Sequence, residues 1–228
     1  MNQIVTDGII LSRINYQEAD RIITFLTVEG TKIRVMAKGV RRAKSKLAGS
    51  VELFCICQVT YLPGNTGLGT LISARLKNYY KNIVKDLERT QWAYEVLKYL
   101  NKYTEESSSM EIYELLEIIL ASLDDLSIPL DLIRAWFGIR FLEAMGHSPN
   151  LAVEPGDPGE LSYRFDIDKM QFLADRNGPN SVNQIKLLRL LDSNLPVKIN
   201  KIANLETLLP KSIGLIQTMM GANGFGLI

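Results

Sequence analysis

Near Asn78 the hydrophobic pattern of this chain changes period. Before that point apolar and polar residues alternate; beyond it, apolar residues recur every three or four positions. Period two followed by period 3.6, with no alternation between them, excludes a repeating β-α-β protein and predicts an α+β architecture. In the first part, Ile22, Thr24 and Leu26 oppose Ile23, Phe25 and Thr27, Glu29-Gly30 supplies a turn, and Ile33, Val35 and Ala37 oppose Lys32, Arg34, Met36 and Lys38. Residues 51–62 read as a long strand with Val51, Leu53, Cys55, Cys57, Val59 and Tyr61 on one side. Pro63-Gly64-Asn65-Thr66-Gly67 has hairpin-loop chemistry, and the next strand runs from Leu68 to Leu76. With Val5–Ile14 this makes five short antiparallel strands and a long basic connection between the third and fourth. A small closed barrel of the OB type satisfies that pattern most simply.

The second part reads as helices over 84–103, then over a stripe of Ile112, Leu115, Leu116, Ile119, Leu120 and Leu123, with Ser107-Ser108-Ser109 as its N-terminal cap. A third helix follows Pro129 and runs to Gly146. Residues 148–180 break the pattern with Pro149, Pro155, Gly156, Pro158 and Gly159, although Tyr163–Asp166 and Gln171–Leu173 answer each other as a hairpin. Helical periodicity resumes at Ser181, interrupted near Pro196 and Pro210, and continues to about Met220. The domains expected are a barrel over 1–79 and a helical domain over 80–228 with an irregular insertion.

Conventional catalysis finds little to work with. One histidine, His147, is available for any triad, and no phosphate-binding glycine loop of the G-x-x-x-x-G-K-[ST] type or strand-linked G-x-G-x-x-G unit is present. Cys55 and Cys57, two apart in an apolar run, are too few and too close for a disulfide framework and too few for a zinc site. Asp157, Asp166 and Asp168 lack the glycine and terminal glutamate of a calcium loop. No metal, cofactor or catalytic residue is expected. Neither a signal-like N-terminus nor an apolar run of membrane length occurs, so the cytoplasm is the expected location and no membrane partner is expected.

Charge is balanced in total, at +1, but not along the chain. Residues 1–89 hold 14 Lys/Arg against 7 Asp/Glu, while the remainder holds 12 against 18. Residues 31–51 carry Lys32, Arg34, Lys38, Arg41, Arg42, Lys44 and Lys46 and no acid. A cationic strand face running into a cationic loop on a barrel rim suits a phosphate backbone held without sequence reading. Arg41, Arg42, Lys44 and Lys46 are the first candidate phosphate contacts, then Lys38, Lys32 and Arg34, with Arg75 and Lys77 extending the track. Phe25, Phe54 and Tyr61 are candidate stacking platforms, with burial in the core as the competing role. The block Tyr16, Glu18, Asp20 and Arg21 reads equally as a structural turn with an internal ion pair. An OB-fold RNA-binding factor and a non-catalytic protein adaptor remain open as alternatives.

Asp7-Gly8-Ile9-Ile10-Leu11, Tyr16-Gln17-Glu18-Ala19-Asp20-Arg21-Ile22-Ile23-Thr24, Glu29-Gly30, Ala37-Lys38-Gly39-Val40-Arg41-Arg42 and Leu68-Gly69-Thr70-Leu71 occur in this order. The order resembles that of bacterial RecO recombination mediators, specifically over residues 6–77 and collinearly to about Leu151. The resemblance implies a non-enzymatic protein with an OB-fold that binds single- and double-stranded DNA, and a helical C-terminal domain. It implies annealing of complementary strands and, with RecR, loading of RecA onto DNA coated by single-stranded-DNA-binding protein (SSB). The acidic tail of SSB is an expected contact of the helical domain, where Arg134, Arg140, Lys186, Arg189 and Lys211 are the candidate cations around an apolar cleft. One departure stands out. Many family members carry a four-cysteine zinc site in the region matching 150–180, and this stretch contains no cysteine.

Overall fold

The computed structural model describes residues 2–45, 47–104, 109–152 and 162–226. Five strands, β1 (Ile4–Tyr16), β2 (Asp20–Thr27), β3 (Lys32–Ala37), β4 (Cys55–Leu62) and β5 (Leu68–Tyr79), close into a barrel in the order β1-β2-β3-β5-β4. The alternation read from the sequence selects the inner face: Ile10, Ile23, Phe25, Val35, Ala37, Cys57, Val59 and Leu71 meet in one buried cluster. Every neighbouring pair is antiparallel except β3 and β5, which pair in parallel, Val35 beside Gly69. An odd number of strands requires this, because directions cannot alternate all the way around a closed ring of five. Period two is the same for both directions, so the sequence could not reveal it.

The strand expected from residue 51 begins only at Cys55. A 3₁₀ turn at Ala48–Ser50 and a coil precede it, and Phe54 takes a positive φ of 60°. Val51 is nonetheless buried in the barrel cluster and Leu53 packs against it, so the apolar face extends past the strand that was read from it. Phe54 is turned out of the barrel and meets Tyr94 edge to face at 5.1 Å.

Two helices follow, α1 (Leu87–Tyr103) and α2 (Met110–Asp124). The Asp86 side chain caps α1 by accepting from the Arg89 N–H at 2.9 Å, satisfying a donor that has no partner within the helix. The stripe from Ile112 to Leu123 is buried as its spacing requires. Of the expected serine cap of α2, Ser107 and Ser108 lie outside the described residues; the Ser109 carbonyl accepts from the Ile112 N–H. Secondary structure changes class at Tyr79, but the contacts divide the chain later, into one compact unit through Asp124 and a second from Asp125. Both α1 and α2 group with the barrel.

The second unit contains α3 (Leu130–Ala144), α4 (Val182–Ser193), α5 (Pro196–Ile199) and α6 (Leu205–Ala222), and a small sheet of β6 (Ser162–Asp166), β7 (Gln171–Ala174) and β8 (Asn180–Ser181). Helices α3, α4 and α6 pack on one another. The hairpin read from the sequence forms, with Arg164 opposite Leu173 and Phe165 opposite Phe172, and those two phenyl rings meet at 4.9 Å. Residues 155–159, including Asp157, lie outside the described residues. Pro196 starts the short α5, as expected of a residue without an N–H, whereas Pro210 lies inside α6 and does not interrupt it. The carbonyl that loses a donor there belongs to Glu206, in the exposed first turn of α6, where water can serve in place of the missing N–H.

Candidate nucleic-acid interface

The connection between β3 and β4 is a clamped loop. At its entry Gly39, with φ of +64°, donates its N–H to Asp20 Oδ1 at 2.6 Å, and the Arg41 N–H donates to the Ala19 carbonyl at 2.9 Å. Arg41 Nη1 also reaches the Gln17 carbonyl at 3.3 Å. The block from Tyr16 to Arg21 is therefore the turn on which the loop rests. It contains no internal ion pair among the contacts described; Arg21 Nε donates instead to Asn15 Oδ1. At the exit Arg13 donates to the Val51 carbonyl at 3.2 Å and pairs with Glu52 at 2.7 Å. Val40 and Val51 plug into the barrel core, and between them Arg41, Arg42 and Lys44 are exposed. Burial of two apolar anchors holds Arg41, Arg42 and Lys44 in solvent. Lys46 lies outside the described residues.

On β3 Arg34 is exposed on the outward face, and Lys38, the first residue after the strand, is exposed as well. A groove of about 460 Å³ opens over this face, lined by Arg34, Lys32, Thr24, Tyr61 and the β4–β5 loop residues Pro63 and Gly64. Burial, and then the charge of Glu29, pushes the Tyr61 hydroxyl above its ordinary pKa, so the half-buried ring stays neutral. Of the three candidate aromatics, Tyr61 alone lines this groove; Phe25 is fully buried in the barrel and Phe54 is spent on Tyr94.

The remaining cations of the track divide. Arg75 is exposed on β5 opposite Gln58. Lys77 pairs with Asp7 across the barrel wall. Lys32, although it lines the groove, donates its ammonium to the Asn101 carbonyl at 3.1 Å and to the Thr104 carbonyl, both at the C-terminal end of α1. It acts as a helix cap, neutralising the negative end of the α1 dipole. The alternating pattern placed Lys32 on the correct face but could not show that a helix end from beyond residue 100 comes to meet it.

In the second unit the five candidate cations do not converge. Arg134 pairs with Asp131 at 3.0 Å, Arg140 bonds the Asp192 carbonyl and pairs with Glu143, and Arg189 donates to the Leu151 carbonyl at 2.8 Å. Lys186 is exposed on α4. Lys211 alone lines a cleft, of about 530 Å³, whose walls are Phe165, Ile167, Pro179 and Leu215. The second cation on that rim is Arg164, 3.8 Å from Asp175, which the sequence reading missed. Its signal was the alternation of β6, where Tyr163 and Phe165 are buried and Arg164 between them is exposed. Among the described residues no group of three or more His, Cys, Asp or Glu is placed to hold a metal ion, and no helix is long and apolar enough to cross a membrane.

Residues 1–80 match the family model described as "Recombination protein O N terminal". Curated relatives extend the similarity beyond the barrel. The DNA repair protein RecO of Acetivibrio thermocellus is 32% identical over 193 residues, covering 82% of this chain and 75% of that protein. The DNA repair protein RecO of Listeria monocytogenes is 32% identical over 194 residues, 81% of this chain and 75% of the relative. That of Dehalococcoides mccartyi is 29% identical over 203 residues, 83% and 78%.

Proposed function

The chain belongs to the RecO family of DNA repair proteins, and from that premise we propose that its barrel holds DNA by the phosphate backbone and anneals complementary strands. The observation that carries this reading is the loop whose cations Arg41, Arg42 and Lys44 stand exposed between two buried valines, on a barrel that also carries a groove containing Arg34 and Tyr61. Two single strands repel each other. A cationic rim that neutralises one of them, leaving its bases free to pair, lowers the cost of bringing up the second. Hydrogen-bond readout of bases is not required, so single- and double-stranded DNA are both ligands. The role is non-catalytic and consumes no ATP.

In the same reading the protein acts in the bacterial cytoplasm with RecR to assist loading of RecA onto SSB-coated strands. The cleft with Arg164 and Lys211 on its rim and Phe165 and Leu215 in its walls has the chemistry for the acidic, apolar SSB tail.

The test is annealing of two complementary labelled oligonucleotides, bare and then coated with the cognate SSB, at two salt concentrations. Acceleration on coated strands without ATP, weakened by salt, is the expected result. Acceleration on bare strands alone would remove the mediator role and leave a DNA-binding module. Preference for structured RNA would favour an RNA-binding factor, and absence of nucleic-acid binding an adaptor.

A further inference from the structure

The two cysteines lie under the exit of the basic loop. Cys55 and Cys57 are both fully buried on the inner face of β4, with their sulfurs 3.2 Å apart. Each also meets a carbonyl of the segment that returns the loop to the barrel: Cys55 Sγ donates to the Glu52 carbonyl and Cys57 Sγ to the Ser50 carbonyl. Glu52 and Gly49 of that returning segment are exposed, so the segment the thiols bond meets solvent on its other side. We propose that Cys55 and Cys57 are a reversible dithiol–disulfide pair, oxidised by a peroxide, that sets how firmly the exit of the basic loop is held. The consequence for DNA rests on the function proposed above; the chemistry does not.

Residues two apart on a strand have Cα atoms about 6.6 Å apart, near the wide limit of about 6.8 Å for a disulfide. A bond at that limit is formed under strain and is readily reduced, as suits a switch more than a staple. The pair is also asymmetric. When Cys57 ionises, the one Cys55 hydrogen turns from the Glu52 carbonyl to the Cys57 sulfur; this contact, together with burial, keeps the Cys55 proton in place well above the thiol range and lowers the pKa of Cys57. Cys57 is therefore the nucleophile.

Its thiolate attacks one peroxide oxygen: the S–O bond forms, the O–O bond breaks, and the departing hydroxide takes a proton to become water. The Cys55 sulfur then displaces hydroxide from the Cys57 sulfenic acid, forming S–S and breaking S–O, and the Cys55 proton leaves in the second water. Two thiols and one peroxide give one disulfide and two waters. Neither sulfur keeps a hydrogen, so the Ser50 and Glu52 carbonyls lose their donors. The loop between Val40 and Val51 is then less preordered, and a ligand must supply the ordering.

The test treats the whole chain with hydrogen peroxide and follows three readouts. The intact mass should fall by two hydrogens, with both thiols lost to titration under denaturing conditions. Trypsin should cut faster after Arg41, Arg42 and Lys44. Affinity for a labelled oligothymidylate should weaken about tenfold, roughly the worth of one to two lost hydrogen bonds, and a dithiol reductant should restore all three. Cys57→Ser, which keeps a donor for the Ser50 carbonyl, should abolish the response; if it fails to fold, Cys55→Ala serves the same purpose. Survival of both thiols, a disulfide between chains, or an internal disulfide with unchanged trypsin cleavage would each overturn the proposal. Reduced protein that binds no DNA would overturn the reading of the interface instead, with mass and cleavage still deciding this one.

Discussion

Val40 and Val51 are buried in the barrel while Arg41, Arg42 and Lys44 between them are exposed, so two apolar anchors set the position of the charged side chains. If about five phosphates are neutralised, log affinity for single strands falls with log salt at a slope of about −3.5, at roughly −0.7 per contact. Replacing Arg41, Arg42, Lys44 and Lys46 together by alanine should flatten that slope by nearly three units, at about −0.7 for each charge removed. Equilibrium binding across a salt series measures it, and an unchanged slope would remove the loop from the interface. Lys32 gives the contrasting case. Because its ammonium is engaged with the carbonyls of Asn101 and Thr104, Lys32→Ala should leave the salt slope unchanged and lower stability by about 1 kcal/mol. Urea denaturation and the same salt series separate the two effects.

At the scale of elements, α3 and α6 pack at Gly138, where a Cβ would stand 2.3 Å from Ile216 Cγ2. Gly138→Ala should destabilise the second unit by about 1–3 kcal/mol through overpacking, and adding Ile216→Leu, which has no branch methyl on Cβ, should recover part of the loss, read as a shift in thermal midpoint. The β2–β3 turn shows the opposite kind of control, by charge. Burial alone would raise the Glu29 carboxyl, but hydrogen bonds from the Thr6 hydroxyl at 2.7 Å, from its own N–H and from Thr27 outweigh it and lower the pKa. A lowered carboxyl pKa contributes stability that is complete above the unfolded value, about 4.3, and is lost as pH falls through the folded value. Thr6→Val should therefore cost stability at pH 7 and progressively less in acid, with the two proteins' urea midpoints converging at low pH.

For the whole molecule, the place where the chain changes from strands to helices is not where its contacts divide. Phe54 is covered by Tyr94 of α1, Lys32 is bonded to the end of that helix, and the Asn82 N–H donates to Asp124 Oδ1 at 2.6 Å. A chain ended after Asp124 should keep a cooperatively melting barrel. One ended after Tyr79 exposes Phe54 and should lose about 1.5–3 kcal/mol on that account, a difference visible in circular-dichroism melting.

Some of this protein was decided locally and could be read without coordinates. The alternation of β2 and β3, the stripe of α2 and the hairpin of β6 and β7 follow from which residues must leave water, and burial of apolar area is a property of the residues themselves. The cations of the loop were legible for the same reason, since nothing nearby in the chain neutralises them. Partners distant in sequence were not legible. The helix end that claims Lys32, the acid that claims Lys77, the rim that joins Arg164 to Lys211 and the carbonyls above Cys55 and Cys57 depend on where other elements come to rest. Hydrogen bonds and ion pairs act over about 3–4 Å, so which of two equally exposed-looking charges remains available is decided only when the chain has folded.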